Sequence, residues 1–264
     1  MVSFHINNWA GAVVTLPLFF LQKEPVNWAH VHEPIIVGAV FFSGGWFTFL
    51  AMTRGDISLV TPVLSSKIIF VAIASSLFVA DEMPFIMWIA ALVTTAGIVL
   101  MSATDFKTPK GGRLAGPVMM ALISAAIYAS SDMLVQHWAP GFGGMAFIGV
   151  MACSTAALSL LAMILPGRPE LHWCPATRWS TLGSSLFGFQ AMLTGISLAL
   201  FRDAVGVNVV YATRGLWILF LVGLLGHLFG NQERHDSGKA FRLRVIAACL
   251  LLLGVLCAVK GRMG

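Results

Sequence analysis

The sequence predicts an all-α membrane protein, a polytopic helical bundle of about nine transmembrane helices, and two observations carry that reading. Of its 264 residues 58% are hydrophobic and only 10% charged, and the mean hydropathy is +0.87, far from what a water-facing surface requires. The charges also divide the chain into apolar runs of about 20 residues, the length of helix that crosses a hydrocarbon core of about 30 Å. No charge lies between Glu33 and Arg54, between Glu82 and Asp105, or between Arg178 and Arg202. The runs Ile57 to Ala80 and Ala204 to Phe229 each carry one cation, Lys67 and Arg214.

Taken in order, the predicted spans are 5–22, 34–53, 57–80, 84–104, 115–137, 143–165, 179–201, 204–229 and 243–260. The stretch Met1 to Gln22 contains no Lys or Arg, so it lacks the basic start of a secretory signal and reads as a retained first span. Between the fifth and sixth spans the punctuation is Pro140, Gly141, Gly143 and Gly144 rather than charge. Asp105 to Arg113, with Lys107, Pro109, Lys110, Gly111 and Gly112, is the most water-compatible piece. The expected organisation is an N-terminal half at 1–104, a linker at 105–114 and a C-terminal half at 115–264.

A net charge of +5 could suit nucleic acid in a soluble protein, but the cations here fall in short loops, where they orient the chain in the bilayer. Cys153, Cys174, Cys249 and Cys257 have no CxxC spacing, and His172 with Cys174 supplies two ligands rather than a site. The sequence therefore predicts no metal, no cofactor and no nucleic-acid partner; its partners are a small-molecule solute and the lipid bilayer.

Internal repetition follows from a shift of 203 − 56 = 147, which sets Arg54-Gly55-Asp56 on Phe201-Arg202-Asp203 and Lys67 on Arg214. At a shift of 246 − 89 = 157, Ile89-Ala90-Ala91 and Gly97 fall on Ile246-Ala247-Ala248 and Gly254. The extra ten residues lie in Gly230 to Lys239. On this alignment the span 115–137 has no partner in the first half. The expectation is a chain whose first helix lies upstream of Met1, with a nine-helix variant as the alternative. Arg54, Lys107, Lys110, Arg113, Arg168, Arg178, Arg234, Lys239, Arg242 and Arg244 fall on one side of a nine-span arrangement, against Lys23, Arg202, Lys260 and Arg262 on the other. The positive-inside rule would make the first side cytoplasmic and leave the C-terminus outside.

The run Gly55-Asp56-Ile57-Ser58-Leu59-Val60-Thr61-Pro62-Val63-Leu64, with the helix Phe70 to Ala80 ending at Asp81-Glu82, resembles the EamA-like branch of the drug/metabolite transporter superfamily. Asp203 to Tyr211 is similar to the second copy of the same pattern. The resemblance implies ten helices in two inverted five-helix repeats, a central cavity and both termini in the cytoplasm. This chain departs from it by lacking the first helix and by its loop charges. The location implied is the plasma (inner) membrane of a bacterium.

Lys67 lies eleven residues past Asp56, which on a continuous helix is about 16 Å deep and close to the midplane. Arg214 lies equally deep. A cation there costs roughly 2.5 to 3.5 kcal/mol unless it faces protein or water, which makes both substrate-binding candidates for a carboxylate or phosphate. The bland reading pairs them with Asp132 or with backbone carbonyls. Tyr211 and Trp217 stand three residues to either side of Arg214, and Asn208 one turn earlier, so stacking and hydrogen bonding to a solute are open to them, as is ordinary packing. Ser58, Thr61 and Ser65 form a hydroxyl stripe that suits close helix packing more than substrate contact. Asp132 is a candidate for proton coupling or for a counter-ion to Lys67 or Arg214, unless it sits in wetted headgroups. Trp46, beside Gly44-Gly45, and Gln190, beside Phe189, are the remaining cavity candidates; His137 and His227 read as interfacial.

The expected function is secondary transport of a small anionic or zwitterionic metabolite by alternating access around a midplane site. There is no GxxxxGK[ST] loop for driving it with nucleotide. A lipophilic-cation or drug exporter would call for a central carboxylate instead of two cations. A membrane enzyme would need a cluster of acids, histidines or nucleophiles at one face, which the sequence does not display. A non-transporting or truncated scaffold is the third alternative.

Overall fold

A computed structural model describes residues 2–55, 57–78, 84–103, 115–164, 175–214, 217 and 238–263. Asp56, Asp81-Glu82, the linker 105–114, His172, Cys174, His227 and residues 230–237 of the loop Gly230 to Lys239 lie outside the described residues. Every regular element among the described residues is helical: α1 (Val2–Thr15), α2 (Leu18–Leu21), a 3-10 turn (Trp28–His30), α3 (His32–Arg54), α4 (Ile57–Leu64), α5 (Lys67–Phe78), α6 (Phe85–Ala103), α7 (Ala115–Phe142), α8 (Gly144–Ile164), α9 (Pro175–Phe201), α10 (Ala204–Ala212) and α11 (Gly238–Met263). Five stretches are long and apolar enough to cross a membrane: Val2–Leu21, Trp28–Arg54, Ala115–Phe142, Gly144–Ile164 and Arg178–Phe201. Lys67–Leu77, Phe85–Leu100 and Val245–Gly261 are shorter apolar helices.

Three boundaries differ from the sequence expectation, each for a local reason. The first span is interrupted at Leu16-Pro17, because Pro17 brings no N–H and the chain restarts with Phe20 bonded to the Pro17 carbonyl at 3.0 Å. The expected span 57–80 is two helices, α4 and α5, separated at Ser65-Ser66. Pro140 does not end α7, which continues through it to Phe142; the break comes at Gly143, one of the glycines that punctuate this stretch, whose φ of +119° is open to glycine.

The chain forms two compact units, each drawing on segments from both sides of the linker. The first comprises Met1–Leu50 and Ala126–Asp203. Within it α1 lies along α9 and α8, and Asn8 donates to the Ser159 hydroxyl at 2.7 Å. Phe4, fully buried, is the hub of an aromatic cluster with Phe42, Trp46 and Phe49 at ring-centroid distances of 5.1–5.9 Å. Gln22 accepts from the N–H groups of Met145 and Ala146 at 3.1 and 3.2 Å. It thereby satisfies donors that the start of α8 leaves without intrahelical partners.

The second unit comprises Ala51–Ala125 and Ala204–Gly264. Its largest helix pair is α6 with α11, and the contact is reciprocal. A Cβ placed on Gly97 would lie 3.2 Å from the Ala247 carbonyl oxygen, and one placed on Gly254 would lie 3.3 Å from the Ala90 carbonyl oxygen. Position 90 faces 254 and position 97 faces 247, so the helices run antiparallel, with Ala90 and Ala247 fully buried at the crossing. Glycine at 97 and 254 lets the two backbones approach this closely. In the same unit α5 packs on α6 and α10, while α4 packs on α6.

Candidate functional site

The local chemistry of the α4–α5 joint begins with Ser66. Its N–H reaches the Val63 carbonyl at 3.1 Å and its hydroxyl reaches the same oxygen at 2.7 Å. Ser65 donates its hydroxyl to the Thr61 carbonyl at 3.1 Å. The serine hydroxyls thus share the Thr61 and Val63 carbonyls with the backbone N–H groups of the same residues, and a serine pair is a recognised cause of helix interruption. Lys67 is the first residue of α5, so it stands at a helix start rather than inside an unbroken turn.

The end of α10 repeats this arrangement 147 residues later. Thr213 directs its N–H to the Val210 carbonyl at 3.0 Å and its hydroxyl to the same oxygen at 2.7 Å. Arg214 follows, exposed, with its guanidinium 4.3 Å from the centre of the Tyr211 ring and hydrogen-bonded to the Tyr211 hydroxyl. Tyr211 therefore both stacks on the cation and accepts from it, as its spacing of three suggested.

The remaining predicted residues are distributed differently. Asn208 is 1% exposed and gives a side-chain N–H to the Ala204 carbonyl at 2.8 Å, turning that donor into its own helix. Trp217 is exposed. In the first unit, Asp132 is 6% exposed and lies ten residues before the end of α7. Trp46 belongs to the Phe4 cluster, edge-on to Phe4 and stacked on Phe42, an arrangement of ordinary aromatic packing. Gln190 donates to the Thr194 hydroxyl at 3.2 Å, one turn along α9. Lys67, Asn208, Tyr211, Arg214 and Trp217 thus belong to the second unit, and Trp46, Asp132 and Gln190 to the first.

The first unit also holds a cavity of about 70 Å³, bordered by Asn7, Asn8, Thr15, Phe41, Ile148 and Thr155 among others, room for a few ordered waters. None of the eight predicted residues borders it. Near it in sequence, the buried His5 Nδ1 and Trp9 Nε1 have no hydrogen-bond partner among the described residues. These polar groups of α1 are not among the candidates that the sequence singles out. The signal was present in His5-Ile6-Asn7-Asn8-Trp9, a polar run inside an apolar span.

No protein-family model matches the chain, and no curated protein does. A solved crystal structure is similar over 99% of this chain and 88% of its own length, with a TM-score of 0.72 and 18% sequence identity. The likeness is one of fold.

Proposed function

We propose that the chain is a secondary transporter of a small anionic or zwitterionic metabolite, an EamA-like drug/metabolite transporter in the plasma (inner) membrane of a bacterium. The observation that carries the proposal is the pair of interrupted helices, α4 before Lys67 and α10 before Arg214, whose first residues Ile57 and Ala204 are also 147 positions apart. Broken helices near the bilayer midplane are where many transporters bind substrate. A lysine at the start of α5 adds its charge to the positive end of the helix dipole, and that combination favours an anion. Arg214 adds a planar fork suited to carboxylate or phosphate. In this reading the reciprocal α6–α11 contact is the axis of two inverted repeats, and each repeat supplies one cation.

The test is thermal stabilisation of the purified protein by organic acids, phosphorylated metabolites, amino acids and lipophilic cations, followed by uptake of any hit in proteoliposomes. A ligand that binds only the folded chain raises its melting temperature. The expected result is stabilisation by one anion class, lost in Lys67→Ala/Arg214→Ala together with uptake. Stabilisation by lipophilic cations alone, or an anion effect that persists in the double variant, would overturn the reading.

A further inference from the structure

The segment between α2 and α3 carries a cluster that the transport reading does not use. His30 closes the 3-10 turn, and His32 and Glu33 open α3. One ligand atom from each of the three lies within 4.8 Å of the others. The closest pair is His30 Nδ1 and Glu33 Oε1, at 2.8 Å. Both histidines are exposed to an incoming ion.

We infer that His30, His32 and Glu33 form a binding site for a divalent transition-metal ion of the Zn²⁺ type. Two imidazoles and one carboxylate are a ligand set that suits such ions and leaves a position open for water. Ligand atoms about 2.1 Å from a tetrahedral metal stand about 3.4 Å apart, so modest side-chain rotations from the present spacing are enough. Glu33 also offsets the positive end of the α3 dipole, which would otherwise oppose a cation there.

The backbone that carries the cluster is held in place. Asn27 donates its N–H to the Phe142 carbonyl at 3.0 Å, and Trp28 packs edge-on against the Phe142 ring at 5.8 Å. At the other end Gln22 is fixed on the start of α8. A ligand set on a pinned segment loses less entropy on binding than one on a free loop.

The experiment uses the full chain in detergent, with any affinity tag removed and metal stripped by chelator, titrated with Zn²⁺ by calorimetry and with Co²⁺ by visible absorption. Expected are one saturable Zn²⁺ per chain, Co²⁺ ligand-field bands without a thiolate charge-transfer band, and a rise in melting temperature with Zn²⁺ but not Mg²⁺. His30→Ala and His32→Ala should each weaken Zn²⁺ binding by about tenfold or more, an effect of the size that even outer-shell changes produce at metal sites. His137→Ala, outside the cluster, should leave it unchanged. Absence of saturable Zn²⁺ or of Co²⁺ bands in the wild type, or undiminished binding in His30→Ala/His32→Ala, would overturn the site.

Discussion

Ser66 and Thr213, 147 positions apart, make the same bond: each hydroxyl donates to the carbonyl three residues back, at 2.7 Å in both cases, immediately ahead of a cation. The backbone N–H of each residue approaches the same oxygen. Two helices that begin at equivalent positions therefore also stop by the same chemistry.

Removing these hydroxyls tests what they contribute to stability. Ser66→Ala and Thr213→Val should each destabilise by about 0.5–1.5 kcal/mol, the net worth of one hydrogen bond, and lower the melting temperature by a few degrees. The two losses should be similar, because the bonds are. A much larger loss in one copy would show that its break is held differently.

The α6–α11 crossing predicts a compensating pair. A methyl at position 254 would collide with the Thr94 hydroxyl, which is fully buried and has no hydrogen-bond partner among the described residues. Gly254→Ala should cost about 1–3 kcal/mol by overpacking. Adding Thr94→Ala clears the collision, so a double-mutant cycle on melting temperature should give a favourable coupling of about 0.5–3 kcal/mol.

Tyr211 can be divided into its ring and its hydroxyl. With an anion identified as proposed, Tyr211→Phe keeps the stacking surface under Arg214 and removes only the acceptor, whereas Tyr211→Ala removes both. Ligand-induced stabilisation should fall in the order wild type, Tyr211→Phe, Tyr211→Ala, with Arg214→Ala at or below the last. Equal stabilisation in all four would separate the tyrosine and the arginine from the ligand.

Gln22 should behave as a cap supplied from a distant part of the chain. Gln22→Ala removes the acceptor for two N–H groups at the start of α8. It should cost about 0.5–2 kcal/mol, the range for losing a helix cap. Gln22→Glu retains an acceptor and places a negative charge at a helix N-terminus, so it should recover part of that loss in a thermal melt.

How much of this was legible in the residues depended on what kind of signal each feature leaves. Charge-free runs revealed the helical class and five stretches long and apolar enough to cross a membrane, because burial in hydrocarbon excludes charge over the full length of a helix. The same criterion concealed the joint at Ser65-Ser66, since a break made of small hydroxyl residues costs no hydropathy. Thr61-Pro62 followed by Ser65-Ser66 was the available cue. Among Pro140, Gly141, Gly143 and Gly144 the break falls at Gly143, because only there does the backbone turn to a positive φ that glycine alone adopts freely. The pairing of Tyr211 with Arg214 could be read from a spacing of three, whereas the partners of Trp46, chiefly Phe4, are set by tertiary packing and leave no mark in local sequence. The cluster at His30 lies in a connecting segment, where the apolar periodicity that marks spans says nothing about which side chains meet.

The reciprocal meeting of α6 and α11 has the form of a dimer interface in which both partners are covalently joined. Dilution cannot separate them, because the chain fixes the effective concentration of one helix around the other. Here two glycines and two alanines let the backbones meet while Leu251 packs beside Gly97, and a seam with backbone at its centre offers few side-chain rotamers through which it could slip.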